Sequence, residues 1–555
     1  MQSIEMKKVL LIAINARYSH PNPALCYLRN SISSLNTQTI LREFTIQADP
    51  PDIARTVKDE APDVLGISVY IWNTIIVEKL LVLLEDLPFP CRIVLGGPEV
   101  SYCPEKWLEK FPALHHVVTG HGEAGFRRVV EDDTGKTEKI IRSRNPHFAQ
   151  IPFPYSEDDL RSFRNRNIYY ESSRGCPFRC AYCISSRSDQ ALEFRDVETV
   201  YRELALLTAQ GPSLIKFIDR TFNADRTRGR LIWSHIIEHY ANSGTCFHFE
   251  IHPALIEEDD IDLLQNCTPG LFQFEIGIQS TSDEALRAIN RKGKWEEIKN
   301  IIIRIIILKT IHVHTDLIAG LPFEDMVSLE RSFNEVYSLG ADHFQFGFLK
   351  MLPGTEIRER AEEYGIVYDT TPPYEALETR WLSRKELATV KRISFLVERI
   401  LNSGRFTMTL QHCIALHRSP FHWYRELAEH SIRTSLPSAS MRWEDLYELI
   451  SGHIESSFPE SAPFVRDCLA WDWCASSNTH RVPALLKSDD YRASRGAVLG
   501  EFLRGVQKGA IGDVPEDAVK KARVFFPATE KFRSAFMEGK RCAVFIGTGR
   551  KPFLL

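Results

Sequence analysis

Short apolar runs alternate with stretches of helical periodicity over the first two thirds of the chain. Residues 9–14, 64–69, 92–95 and 116–118 are Val, Ile and Leu runs bounded by polar turns and predict strands, while 24–35 and 74–87 predict helices. Strand–helix alternation of this kind predicts a doubly wound parallel sheet over residues 1–140, with ligands binding beyond the carboxyl ends of its strands. Glycines sit at two of those ends, in Gly96-Gly97-Pro98-Glu99 and Gly120-His121-Gly122-Glu123, where backbone could approach a ligand closely. Residues 141–166 are charged, proline-bearing and aperiodic, and read as a linker that packs across to the next domain.

The alternation resumes at 168–172 and continues through 214–218, 246–251, 272–278, 314–319 and 344–349. Six strands with polar residues at their ends predict a parallel barrel, residues 167–375, whose chemistry collects at the carboxyl face. From 376 to 555 the pattern turns helical. Helices are expected over 383–403, 420–430, 442–456, 463–469 and 516–526, with one short strand at 544–546.

Composition narrows the class. A chain of 555 residues with 44% hydrophobic and 25% charged residues is an ordinary globular protein of several domains. Its net charge of −5 gives no case for nucleic acid or a membrane surface as partner. Twelve cysteines scattered along the chain make no disulfide framework, and no apolar run reaches the length of a membrane span. With no signal-peptide pattern, a soluble cytoplasmic protein is expected.

The chemistry starts at Arg174-Gly-Cys-Pro-Phe-Arg-Cys-Ala-Tyr-Cys183. Cys176, Cys180 and Cys183 can ligate three irons of a [4Fe–4S] cluster and leave the fourth open to a small chelating molecule. A structural zinc site would need a fourth Cys or His nearby at knuckle spacing, and none follows. The motif resembles the signature of the radical S-adenosylmethionine (SAM) superfamily, in which SAM binds the open iron.

That resemblance implies a partial (β/α)6 barrel and a set of SAM-binding residues. Glu250, Gln279, Arg291 and Asp316 are similar to positions of the coproporphyrinogen-oxidase-like group. There the Glu and Arg hold SAM's amino acid end, and the Gln and Asp reach its ribose. Tyr182 resembles the aromatic that backs the adenine. Asp219 replaces the glycine-rich turn usual after the second strand and is a further expected cofactor-binding residue. Glu275 alternates with Phe274 and Ile276, so it is expected either to face the site or to form an internal salt bridge with a partner such as Arg291.

The glycine turns of residues 1–140 resemble those of the cobalamin-binding domain that precedes the barrel in one branch of radical SAM enzymes. Many such domains carry Asp-x-His-x-x-Gly after the first strand, whose His ligates cobalt. Here the stretch reads Asn15-Ala-Arg-Tyr-Ser-His20, so any cobalamin would bind without that ligand, and His20 reads as an ordinary loop histidine. The whole chain resembles a cobalamin-type radical SAM enzyme of a branch lacking the axial-His motif. The expected fold is α/β, with the cobalamin-binding-like sheet, the partial barrel and a mainly helical carboxyl-terminal capping domain.

What the resemblance implies is a transferase acting on a small molecule in specialised metabolism, by cobalamin-dependent methyl transfer or rearrangement. An external one-electron reductant of flavodoxin or ferredoxin type would supply the cluster. Two alternatives stand beside it. Cys413, Cys468 and Cys474 could hold a thiophilic acceptor such as trivalent arsenic for transfer of SAM's 3-amino-3-carboxypropyl group, although buried inert cysteine is the commoner fate of such residues. A tRNA-modifying enzyme would need a basic, aromatic tail, and Arg541 with Arg550-Lys551 is too little for that.

Overall fold

The structure is a computed structural model that describes residues 6–143, 147–187, 191–434, 441–479, 481–508, 514, 518–519, 521–549 and 551–555. By internal contacts it divides into two compact units, residues 1–325 with 348–383, and residues 326–347 with 384–555.

The first unit opens with a parallel sheet. Its strands are β1 (Lys7–Asn15), β2 (Thr37–Thr45), β3 (Val64–Ser68), β4 (Arg92–Gly96), β5 (Leu114–Thr119) and β6 (Ile140–Arg142), in the order β2-β1-β3-β4-β5-β6. Alternate residues of β1 enter different cores, Leu10, Ile12 and Ile14 on one face and Val9, Leu11 and Ala13 on the other. Both faces are therefore covered by helices, which is why the strand reads as a continuous apolar run. Strand β2, TQTILREFT, has no buried residue and so leaves no apolar signature, and sequence reasoning passed over it. The helix Pro50–Glu60 was missed as well; it begins with Pro at its first turn and buries Ile53, Ala54 and Val57 on one side.

Residues 147–166 are not an empty connector. Helix Glu157–Ser162 opens on a capping box of Ser156 and Asp159, and Asp159 also binds Arg29 at 2.6 Å. Arg195 Nη1 donates to Ile151 O at 2.9 Å, so the segment is fastened on both sides.

The second sheet holds β7 (Ile168–Tyr170), β10 (Leu214–Phe217), β11 (Cys246–Ile251), β12 (Phe272–Gln279) and β13 (Ile311–Ala319), all parallel, in the order β13-β12-β11-β10-β7. A short antiparallel pair, β8 (Ser173–Arg174) with β9 (Glu193–Phe194), flanks the cysteine loop. The sixth expected strand forms at His343–Phe348, and just beyond it Leu349 N donates to Ala319 O at 2.9 Å. Beneath the sheet lies an aromatic core in which Phe217 meets Phe249 at 4.6 Å and Trp233 meets Phe274 at 5.3 Å.

The second unit is mainly helical, with Arg384–Ile400, Thr407–Ala415, Pro420–Arg433, Trp443–Ser457, Ala462–Ser476 and Asp489–Gln507. His412 and Cys413 lie inside the helix Thr407–Ala415. The carboxyl-terminal part of the helix expected over 516–526 is corrected: residues 518–519 are helical, but Arg523–Phe525 is a buried strand paired antiparallel with Ala543–Phe545. Its Val524 and Phe525 are buried, as is the adjoining Phe526, so the segment has no helical face to present, while residues 516–517 and 520, like Arg550, lie outside the described residues. No described helix is long and apolar enough to cross a membrane.

Candidate active site

The cysteine loop is shaped by its first residues. Gly175 takes φ +93°, and a Cβ there would stand 3.2 Å from both Ala191 O and Leu192 Cα, so the turn into Cys176 requires glycine. The loop is then pinned on both sides, with Ala181 N donating to Ile289 O and Ile357 N to Ala181 O, each at 2.9 Å. Just before it, the buried guanidinium of Arg174 binds Glu123 at 2.7 Å and Glu171 at 3.0 Å. That guanidinium also lies over the rings of Tyr27 and Phe148, at 5.1 and 4.8 Å.

Asp219 serves this loop and not the cavity. It is fully buried; its Oδ1 accepts from the hydroxyls of Ser172 and Ser173, and its Oδ2 accepts from Ser172 N at 3.1 Å. The cofactor-binding role expected for it is thus corrected. Its oxygens are taken up in bracing the strand that leads into the cysteines.

Cys176, Cys180 and Cys183 line one cavity of about 220 Å³ together with Tyr182, Glu250, Glu275, Gln279, Arg291 and Asp316. Strand ends account for the convergence, since β11, β12 and β13 lie side by side and each delivers a polar side chain at its carboxyl end. A bulge between Gly277 and Gln279 turns the latter inward with φ +73°. Gly277 leaves the room, because a Cβ there would come within 2.2 Å of Gln279 Nε2. Arg291 Nη2 donates to Gly277 O at 2.5 Å, which turns Nη1 to within 3.8 Å of Cys180 Sγ.

The carboxylates differ by their surroundings. Burial pushes Glu250 up, with Arg220 opposing it. Burial also pushes Glu275 up, but a 3.0 Å contact with His248 Nε2 and a 3.2 Å one with Lys216 Nζ outweigh this and hold it at about 2. The internal salt bridge expected for Glu275 therefore exists, with Lys216 and His248 in place of Arg291. Asp316 is raised by burial despite His314 at 2.9 Å, and the same contact raises His314.

Sequence reasoning gave no role to His252, Phe178, Arg220 or Thr221, which also line the cavity. His252 stacks on Phe178 at 4.3 Å, and neither of its buried ring nitrogens has a hydrogen-bond partner among the described residues. Burial and then Arg291 hold it down at about 3, so it is a neutral imidazole. The available signal was position, since His252 follows β11 directly, as Arg220 and Thr221 follow β10 after a short turn.

Three thiols on one wall, with a guanidinium, carboxylates and orphaned imidazole nitrogens facing them, fit an iron–sulfur cluster carrying a polar, zwitterionic ligand. A corrinoid fits the carboxyl edge of the first sheet in part. Tyr18, Trp72 and Tyr102 are exposed there, and the Tyr70 and Trp72 rings stack at 4.5 Å. A Cβ on Gly96 would meet only Val118 O, at 3.7 Å, so the backbone is open to close approach. The two turn glutamates, however, are spent on structure: Glu123 on Arg174, and Glu99 on the Tyr374 hydroxyl. His20 Nδ1 is 2.8 Å from the Tyr169 hydroxyl. Cys413, Cys468 and Cys474 are buried within the second unit, and burial pushes all three thiols up, Cys474 to about 12.

Residues 9–130 match the family described as B12 binding domain, 170–336 the radical SAM superfamily, and 362–505 a protein of unknown function, DUF4080. An uncharacterized methyltransferase of Pyrococcus horikoshii is 26% identical over 378 residues, 61% of this chain and 78% of that one. The cobalamin-dependent radical SAM methyltransferase TokK of Streptomyces tokunonensis is 25% identical over 55% of this chain, and the match spans only 50% of TokK. Among solved structures, the cobalamin-dependent radical SAM enzyme OxsB with aqua-cobalamin and SAM bound aligns at TM-score 0.56 and 16% identity, over 92% of this chain and 82% of that one. The chain thus carries a B12-binding domain ahead of a radical SAM domain.

Proposed function

We propose that the protein binds SAM against a [4Fe–4S] cluster held by Cys176, Cys180 and Cys183 and transfers its methyl group to a small molecule. The observation that carries this reading is the single cavity in which the three thiols meet Tyr182, Glu250, Gln279, Arg291 and Asp316. The chemistry the absent groups supply when bound is one-electron reduction of SAM at the open iron and methyl carriage on cobalt.

The residues of the chain do the rest. Arg291, its Nη2 fixed on Gly277 O, presents its remaining donors to SAM's carboxylate. Glu250 accepts from the amino group, Gln279 and Asp316 take the ribose hydroxyls, and Tyr182 covers the adenine. Neutral His252 adds a polar edge without a charge that would repel the sulfonium. An external carrier of flavodoxin or ferredoxin type delivers the electron. Support for methyl transfer over other outcomes comes from the B12-binding domain and the methyltransferases among the relatives.

Analysis of the nucleosides formed from SAM under anaerobic reduction, with and without added hydroxocobalamin, tests the reading. S-adenosylhomocysteine or 5′-deoxyadenosine that rises with cobalamin is expected. 5′-Methylthioadenosine as the sole product would refute methyl transfer and point to movement of the aminocarboxypropyl group.

A further inference from the structure

We propose that the second unit holds a divalent transition metal of the zinc class on His417, Glu426 and His453. The three side chains come from separate segments: His417 follows helix Thr407–Ala415, Glu426 lies on helix Pro420–Arg433 and His453 on helix Trp443–Ser457. Their donor atoms converge to within 4.8 Å of one another. His417 Nε2 stands 3.2 Å from His453 Nε2 and 3.4 Å from Glu426 Oε2, and the third edge, His453 to Glu426, is 3.8 Å. Ligands about 2.0–2.1 Å from one tetrahedral ion lie roughly 3.3–3.4 Å apart. The triangle is therefore the size of one face of a tetrahedral site, before any ion draws it in.

Proton placement supports the same reading. His417 Nδ1 is 2.6 Å from Cys413 O, and a carbonyl only accepts, so Nδ1 carries the proton and the neutral ring aims a bare Nε2 at its neighbours. A backbone carbonyl behind a ligating imidazole is the usual way that a metal ligand's tautomer is fixed. The two imidazoles are almost wholly buried, at 1% and 2% side-chain exposure, while Glu426 at 32% leaves an entry side. His422, one helical turn before Glu426, lies 3.4 Å from Oε1 and steadies the carboxylate with Oε2 toward the histidines.

Two imidazoles and a carboxylate without a thiolate select a borderline divalent ion over copper(I), and over magnesium or calcium, which prefer all-oxygen shells. Such an ion would clip three separate segments, His417 and His453 being 36 residues apart in sequence, so its role is to lock the packing of the second unit.

The test uses the full-length, cluster-loaded protein, stripped with a chelator and titrated anaerobically with zinc. Iron and zinc are counted together, and the zinc K-edge reports the ligand shell. One zinc per chain with nitrogen and oxygen scatterers and no sulfur is expected. Glu426→Gln and His417→Gln should each weaken zinc binding by at least about tenfold while leaving the iron content unchanged. Hydrogen exchange across residues 407–458 should slow on adding zinc to the wild type. Sulfur in the zinc shell, no zinc retained through gel filtration, or equal affinity in wild type and Glu426→Gln would each overturn the proposal. Glu426 is partly exposed, so its variant stays readable even where a histidine variant fails to fold.

Discussion

Replacing Arg174 with Met gives the sharpest test of how the cysteine loop is held. The substitution keeps the packing of the side-chain stem between Tyr27 and Phe148 and deletes the charge that faces Glu123 and Glu171. Arg174 and Glu123 are 9% and 10% exposed and Glu171 17%, so solvent screens little of the loss. Removing one partner of a buried pair costs roughly 3–5 kcal/mol, because an uncompensated charge is left behind. At about 1.4 kcal/mol per decade, that opens the local structure roughly a hundredfold or more. Amide exchange in peptides covering residues 121–127 and 171–176 reads this directly, without assuming that a protein of two units unfolds in one step. The sign with pH is also fixed. In the wild type Arg174 outweighs burial and holds Glu123 below its usual range, so this contribution is present above the unfolded value and lost as pH falls through the folded one. In the variant both carboxylates are buried without a cation and rise. Its penalty is full at neutral pH and fades as pH falls through those raised values, so the gap to wild type narrows on acidification. Exchange within threefold of wild type at neutral pH, with no narrowing on acidification, would refute the reasoning.

Two further outcomes follow from the cavity. Ala at Cys176, Cys180 or Cys183 should abolish the cluster's EPR signal and SAM cleavage, whereas Ala at Cys26, Cys91 or Cys542 should leave both, as iron counting after anaerobic reconstitution will show. If Arg291 holds SAM's carboxylate as proposed, Arg291→Ala should retain the cluster but weaken SAM binding by roughly 2–5 kcal/mol, seen when SAM is titrated against the cluster signal.

The parallel sheets and most of the cavity were legible because they leave strong signals. Apolar runs mark strands buried on both faces, and the cysteine spacing locates one end of the barrel, after which polar residues at successive strand ends fall into place. What escaped notice lacked such a signal. Strand β2 buries no residue. Asp219 sits at a strand end as a ligand-binding residue would, but the adjacent Ser172 and Ser173 turn it into a brace, and hydroxyls are too common in sequence to announce that. For Glu275 the sequence left open a site role or an internal salt bridge, and its partners His248 and Lys216 come from neighbouring strands, whose register is not written in either one alone. The His417, Glu426 and His453 cluster is assembled from two helices and the turn after a third, with no compact motif, so only the folded chain brings it to view.

The use made of Glu99 and Glu123 bears on how this architecture could be recombined. Each sits just after a glycine turn of the first sheet, and each is bonded to a side chain of the barrel half, Tyr374 and Arg174. A chimera that grafts this amino-terminal domain onto another barrel would deprive two carboxylates of these side-chain partners unless the recipient carried an equivalent tyrosine and arginine. Domain exchange in this architecture is thus a matter of transplanting matched pairs, and the junction at the linker is the lesser part of the problem.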